Sequence, residues 1–244
     1  HVRLFQQGEA GTGIAVPDST EPNSGVAWEK QDTQRKWAAV VTSSDGTKLA
    51  AAVQGDNIYI SSDSGKTWTP QASSGSRKWV ALAGSDDGQR LAALYDWGGY
   101  IVTSSDGGKN WTLRGIPGAV NWTDLTSSAD GSKLVAVAKN SVIYTSNNAG
   151  ASWTQQEGSG KRNWTSVASS ADGTKLVAVV QNGTIYTSVN SGVTWTERSG
   201  AGVRKWTSVA SSADGTKLVA TADGGYIYTS VNSGAAWTAH PETE

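Results

Sequence analysis

Cysteine is absent from the 244-residue chain, which excludes disulfides, cysteine-containing zinc sites and thiol catalysis. Histidine occurs only at His1 and His240, so a serine nucleophile has no imidazole from the body of the chain, and no zinc or phosphate-cradling motif is present. An amine and two imidazoles meeting at joined chain ends can hold copper, but frayed termini are the simpler expectation, and no metal or cofactor is expected. No apolar run approaches the length of a membrane-spanning helix, so membrane insertion is not expected. The chain starts without methionine or a charged-then-apolar leader, and a processed form or excised module is expected. Twenty Lys and Arg against 21 Asp and Glu leave a net charge of −1, so no overall basic field draws nucleic acid. A monomer is expected. With one phenylalanine, the large apolar area falls to 12 tryptophans.

What is plentiful is glycine, at 29 residues, and it recurs in register. The octapeptide Ser61-Ser62-Asp63-Ser64-Gly65-Lys66-Thr67-Trp68 returns at Ser104–Trp111, Ser146–Trp153, Ser188–Trp195 and Ser230–Trp237. Its pattern, Ser-x-(Asp/Asn)-x-Gly-x-x-Trp, encodes a turn: a side-chain oxygen accepts backbone N–H groups, glycine takes positive φ, and tryptophan anchors the next strand. Asn148, Asn190 and Asn232 replace the aspartate in three copies, keeping the acceptor and losing the charge.

A second tryptophan leads each copy, at Trp37, Trp79, Trp122, Trp164 and Trp206, spaced 42, 43, 42 and 42 residues apart. Asp-Gly follows eight residues later each time, as at Asp172-Gly173, where a tight hairpin is predicted. In the copy opened by Trp164, strands are predicted over 164–168, 175–179 and 184–187, with a fourth beginning near Trp195. The second is apolar on both faces, as a sheet stacked between two others requires. The expected fold is all-β: a β-propeller of four-stranded antiparallel blades. Residues 37–78, 79–121, 122–163, 164–205 and 206–244 are the complete repeats, in one domain spanning 1–244. Residues 1–36 read as a worn, three-stranded copy, with Val2-Arg3-Leu4-Phe5, Gly13-Ile14-Ala15-Val16 and Asn23–Trp28 matching later segments and Pro17 and Pro22 between them. Six blades are therefore expected, with five plus an N-terminal appendage as the alternative.

The octapeptide resembles the Asp box of the BNR-repeat families, which include sialidases, xyloglucan hydrolases, sortilin-type receptor domains and photosystem II assembly factors. The resemblance covers about residues 37 to 244 and implies the fold together with a secreted or extracellular setting. It does not imply one chemistry, because these families share the turn and differ in activity. The sialidase Arg-Ile-Pro motif is missing: Arg114-Gly115-Ile116-Pro117 is interrupted by glycine and lies mid-chain. Tyr59, Tyr144, Tyr186 and Tyr228 repeat in register, which suits packing better than nucleophilic use. Sequons such as Asn110-Trp111-Thr112 fall inside the repeat and read as chance recurrence.

Propellers of this resemblance bind ligands on the face opposite the boxes. Two repeat positions on that face carry candidates. Two residues before the leading tryptophan stand Arg35, Arg77, Arg162 and Arg204, with Val120 the exception; seventeen after it stand Gln54, Asp96, Lys139, Gln181 and Asp223. A circle of guanidinium groups can grip carboxylate or sulfate bidentately, which suits an acidic glycan. A purely structural role is the alternative, each arginine laying its stem over a neighbouring tryptophan and pairing with a surface carboxylate. The copies at 164–195 and 206–237 differ at seven positions, five of them (179, 180, 181, 182 and 184) at the turn between strands two and three. Trp97 in Tyr95-Asp96-Trp97-Gly98-Gly99 is an inserted platform for stacking a sugar, or else a packing adjustment of one blade. If the chain hydrolyses glycosides, Asp96 and Asp124 are the pair to test. The leading expectation is a non-catalytic binding module for glycan or protein; a glycoside hydrolase or lyase and a ligand-free scaffold are the alternatives.

Overall fold

The computed structural model describes residues 30–96, 98–116 and 120–241. Most of the predicted N-terminal partial blade, together with Trp97 and Pro117, lies outside the described residues. Within them, the repeats fold as antiparallel meanders. The first runs β1 (Trp37–Thr42), β2 (Leu49–Val53), β3 (Ile58–Ser61) and β4 (Thr69–Gln71). The second is β5 (Trp79–Gly84), β6 (Leu91–Tyr95), β7 (Tyr100–Ser104) and β8 (Thr112–Arg114), and the third β9 (Asn121–Ser127), β10 (Leu134–Lys139), β11 (Ile143–Ser146) and β12 (Thr154–Gln156). The fourth holds β13 (Trp164–Ser169), β14 (Leu176–Gly183), β15 (Ile185–Ser188) and β16 (Thr196–Arg198), the fifth β17 (Arg204–Ser211), β18 (Leu218–Ala222), β19 (Ile227–Ser230) and β20 (Thr238–His240). The first strands neighbour one another in succession, β1 to β5 to β9 to β13 to β17, which makes the chain an all-β propeller.

Blades stack because each second strand is apolar on both sides. Val135, Val137 and Ile143 of the third blade pack against Trp164, Leu176, Ala178 and Tyr186 of the fourth. Val177, Val179 and Ile185 of the fourth repeat this against Trp206, Leu218, Ala220 and Tyr228 of the fifth. Each such fully buried aliphatic side chain is worth roughly 1.5–3 kcal/mol.

Polar bonds lock the stack at two levels. Ser44 N–H donates to Asp86 O (2.8 Å), Asp86 N–H to Ala129 O (2.7 Å), Ala129 N–H to Ala171 O (2.7 Å), and Ala171 N–H to Ala213 O (2.7 Å), so one belt of backbone bonds crosses four blade boundaries. The residue after each leading tryptophan sits at a register break, a β-bulge that frees it from its own ladder. There Thr123 and Thr165 place their hydroxyls 2.9 and 3.1 Å from the carbonyl oxygens of Trp164 and Trp206 in the following blade.

The repeated turn has the predicted geometry. Thr67 N–H donates to Asp63 Oδ1 at 2.9 Å and Gly65 N–H to Ser61 Oγ at 2.8 Å. Asn148 Oδ1 accepts from Ser152 N–H at the same 2.9 Å, so the exchange for asparagine keeps the turn. Gly192, at φ +85°, is required twice over, because a Cβ there would stand 2.8 Å from Thr145 Cγ2 of the preceding blade.

Candidate ligand-binding rim

The segment entering each first strand and the turn between strands two and three meet at one end of every blade. Gln54 N–H donates to Lys36 O (2.8 Å), Asp96 N–H to Lys78 O (2.9 Å), Gln181 N–H to Asn163 O (2.8 Å) and Asp223 N–H to Lys205 O (2.9 Å). Lys139 pairs with Asn121 in the third blade. Both predicted sets of candidate residues therefore share one end of the sheets, away from the octapeptide turns.

Three 3-10 turns, Ala72–Ser74, Glu157–Ser159 and Ser199–Ala201, deliver Arg77, Arg162 and Arg204 to this end. Each turn closes on a positive-φ glycine two residues before its arginine: Gly75, Gly160 and Gly202. The arginine then folds back, and its Nε donates to a turn carbonyl: Arg77 to Ser74 O at 3.0 Å, Arg162 to Ser159 O at 3.2 Å, Arg204 to Ala201 O at 2.9 Å. Each guanidinium also covers an aromatic ring. The guanidinium carbon lies 4.4 Å from the ring centre of Tyr95 for Arg77, 4.6 Å from Tyr186 for Arg162 and 4.7 Å from Tyr228 for Arg204. Tyrosine, not the predicted tryptophan, is the ring beneath. The leading tryptophan stands edge-on behind it, as Trp164 does to Tyr186 at 5.2 Å.

The backbone binds each arginine to the preceding blade as well. Asp56 bridges to Arg77, Ser141 to Arg162 and Gly183 to Arg204, so these residues stand at blade junctions. Arg77 and Arg162 are partly exposed and Arg204 is exposed. Among the described residues none of the three pairs with a carboxylate, whereas Arg35 does: its Nε lies 3.2 Å from Asp32 Oδ2, its Nη1 3.9 Å from Asp56 Oδ2, and its guanidinium over Tyr59 at 4.5 Å. Arg35 thus makes the carboxylate pairing of the structural alternative, over a tyrosine instead of a tryptophan, while the other three are anchored through Nε and aromatic face and have no carboxylate partner among the described residues. Val120 at the fifth position is buried with Trp122 and Tyr144.

The rim carries a second layer in which lysines and tyrosines absent from the predicted site join the predicted Asp96 and Asp223. Lys78 Nζ pairs with Asp96 Oδ2 at 2.7 Å, and Lys205 Nζ pairs with Asp223 Oδ2. The Lys205 ammonium beside Asp223 holds that carboxyl below its ordinary range. Beside these pairs Tyr100 is 40% and Tyr226 51% exposed, each following a pair of glycines, and Tyr100 stacks on Tyr95 with ring centres 5.6 Å apart. The second and fifth blades therefore carry the same set: arginine, lysine paired to aspartate, and an outward tyrosine. Its signal in the sequence is the shared Gly-Gly-Tyr-Ile string at Gly98–Ile101 and Gly224–Ile227, with Lys-Trp 20 or 19 residues before it.

Asp124 is elsewhere in function. It is 1% exposed on β9, and its carboxylate accepts from Ser166 Oγ (2.9 Å) and Val167 N–H (2.9 Å) of the fourth blade and from Leu125 N–H (2.8 Å). A carboxylate fastening two blades is not an accessible acid or base, so the Asp96–Asp124 pairing of the hydrolase reading has no geometric support. Burial pushes the phenols of Tyr59 and Tyr95 up, opposite to what a nucleophile needs. His240 Nε2 is 2.7 Å from Thr229 Oγ1, and His1 lies outside the described residues.

A cavity of about 380 Å³ opens at the other end of the sheets, between the first and second blades, over Val41, Leu49, Ala50, Ile60 and Leu91.

No protein-family model matches the chain, and no curated protein matches it. Solved structures do. YCF48 bound to D1 peptide aligns over 92% of this chain and 72% of its own, at TM-score 0.64 and 16% identity. YCF48 from Cyanidioschyzon merolae aligns over 88% and 74%, at TM-score 0.63 and 18% identity. An ancestral GH74 enzyme aligns over 94% of this chain and 38% of its own, at TM-score 0.67 and 16% identity. At these identities the likeness is one of fold, and the chain spans well under half of the GH74 enzyme.

Proposed function

We propose that this chain is a non-catalytic binding module whose arginine rim takes up a carboxylate-bearing segment of a partner protein. One observation carries the reading: Arg77, Arg162 and Arg204 are each fixed by an Nε bond and a tyrosine ring, yet have no carboxylate among the described residues. A fixed guanidinium has lost its rotamer freedom before the ligand arrives, so less affinity is spent on ordering it. Repetition adds to this, because a chain touching several weak sites gains by avidity. The peptide held by the YCF48 protein of similar fold supports a peptide as occupant.

An acidic glycan is the second reading, favoured by the outward rings of Tyr100 and Tyr226, on which a sugar face can stack. An extracellular setting belongs with that reading. Calorimetric titration with a glutamate-rich peptide and with an oligouronate separates the two. Peptide binding that weakens with salt supports the partner-protein reading, oligouronate binding alone transfers the site to glycans, and silence with both overturns the module reading.

A further inference from the structure

Among the described residues, inter-blade contacts that recur from blade to blade stop at the fifth blade. The isoleucine near the start of the third strand is 0% exposed as Ile58, Ile101, Ile143 and Ile185, and 53% exposed as Ile227. The valine of the second strand is 4% exposed as Val135, 0% as Val177 and 37% as Val219. The backbone belt that begins at Ser44 ends at Ala213, whose N–H meets no acceptor among the described residues. Lys48, Arg90, Lys133 and Lys175 reach the carbonyls of Asp87, Asp130, Asp172 and Asp214 in the next blade, and among the described residues Lys217 reaches none. Thr207, unlike Thr123 and Thr165, bonds among the described residues only within its own blade, to Thr221.

This is a blade face patterned for a following neighbour. A ring of five blades would bury Ile227 against the first blade, and Ile227 is open. We propose that residues 2–28 of this chain cover the face as a three-stranded sixth blade. The apolar residues to be covered, Val219 and Ile227, sit on the second and third strands. Those are the levels that Val2-Arg3-Leu4-Phe5 and Gly13-Ile14-Ala15-Val16 supply in sequence. The donors left over, Thr207, Ala213 and Lys217, belong to the first strand and its turn, the level this segment lacks, and all three are exposed to water. On the far side, Trp37 and Val40 of the first blade are partly exposed, whereas their counterparts Trp164 and Val167, packed on the preceding blade, are 0% and 1% exposed, so this face too is short of a neighbour among the described residues. A blade between the fifth and the first touches both.

The absence of cysteine makes the test direct, since a single introduced thiol is the only one to react. Val219→Cys, in the otherwise intact chain, is labelled with a maleimide beside Val177→Cys, at a 0% exposed site, and Val231→Cys, at a 77% exposed one. The proposal expects Val219→Cys to react about tenfold or more slowly than Val231→Cys at every protein concentration, because labelling then waits on local opening. Adding Leu4→Asp with Phe5→Asp is expected to bring its rate up to that of Val231→Cys. Equal rates for Val219→Cys and Val231→Cys overturn the proposal. So does protection that fades on dilution, which identifies a second copy as the cover, and so does protection indifferent to the aspartates.

Discussion

The guanidinium carbon of Arg162 lies 4.6 Å over the ring of Tyr186, and that ring stands edge-on to Trp164 at 5.2 Å. One stack therefore joins the buried inter-blade core to the rim, so the arginine is both part of the packing and a charge offered to a ligand. Arg162→Ala removes the cation–π contact and the bond to Ser159 O, for a predicted loss of about 1–2 kcal/mol. Urea unfolding checks it as a lowered midpoint at unchanged slope.

Asp124 has a structural weight that its hydrolase reading hid. Asp124→Ala leaves the Ser166 hydroxyl and the Val167 N–H without this acceptor in a dry interface, at about 1–3 kcal/mol for each donor stranded. Thermal unfolding of Asp124→Ala and Asp96→Ala side by side gives the comparison: a large loss for the first and a small one for the half-exposed second is expected.

The acid limb of stability is set by turn aspartates. Hydroxyl donation from Thr67 to Asp63, Ser128 to Asp130 and Ser170 to Asp172 is the largest of the interactions that hold these carboxyls at about 2, against an ordinary 3.8. A folded-state value below the unfolded one stabilises fully above the unfolded value and is lost as pH falls through the folded one. Stability is thus predicted to hold from neutral pH to about 4 and to fall between there and about 2. Asp63→Asn with Asp106→Asn, in the manner of the natural Asn148, Asn190 and Asn232, flattens part of that fall in a pH series of unfolding midpoints.

Gly192→Ala is predicted to destabilise by about 1–3 kcal/mol, since it combines a positive φ with a Cβ 2.8 Å from Thr145 Cγ2. Gly46→Ala, at φ +71° with open space around it, isolates the backbone share and is expected to cost less on calorimetric comparison.

Strand positions were legible because tight turns are written locally. Ser, Asp and Gly at fixed offsets set Asp172-Gly173 and the Ser188–Trp195 turn, and β13, β15 and β16 fall within about a residue of their predicted places, while β14 runs on to Gly183, four residues past its predicted end. Where side chains end up across blades was less legible, because packing decides it. Tyr95 shows this: in the second blade the third strand carries Val102 at the tyrosine position, and the ring under Arg77 comes from the second strand instead. Lys78 and Lys205 were overlooked because their partners, Asp96 and Asp223, lie 18 residues away and meet them only through strand pairing. The role of Asp124 was not legible because an unusual residue in a repeat marks a special contact without saying whether the contact is with a ligand or with the next blade.

The measurement that bears most directly on the rim is titration of a glutamate-rich peptide into the wild-type chain and into Arg77→Lys/Arg162→Lys/Arg204→Lys. Lysine keeps the charge and loses the planar fork. The account predicts saturable, salt-sensitive binding to the wild type and affinity lowered about tenfold or more in the triple variant, with its circular dichroism intact. Equal affinity in the two proteins would contradict it.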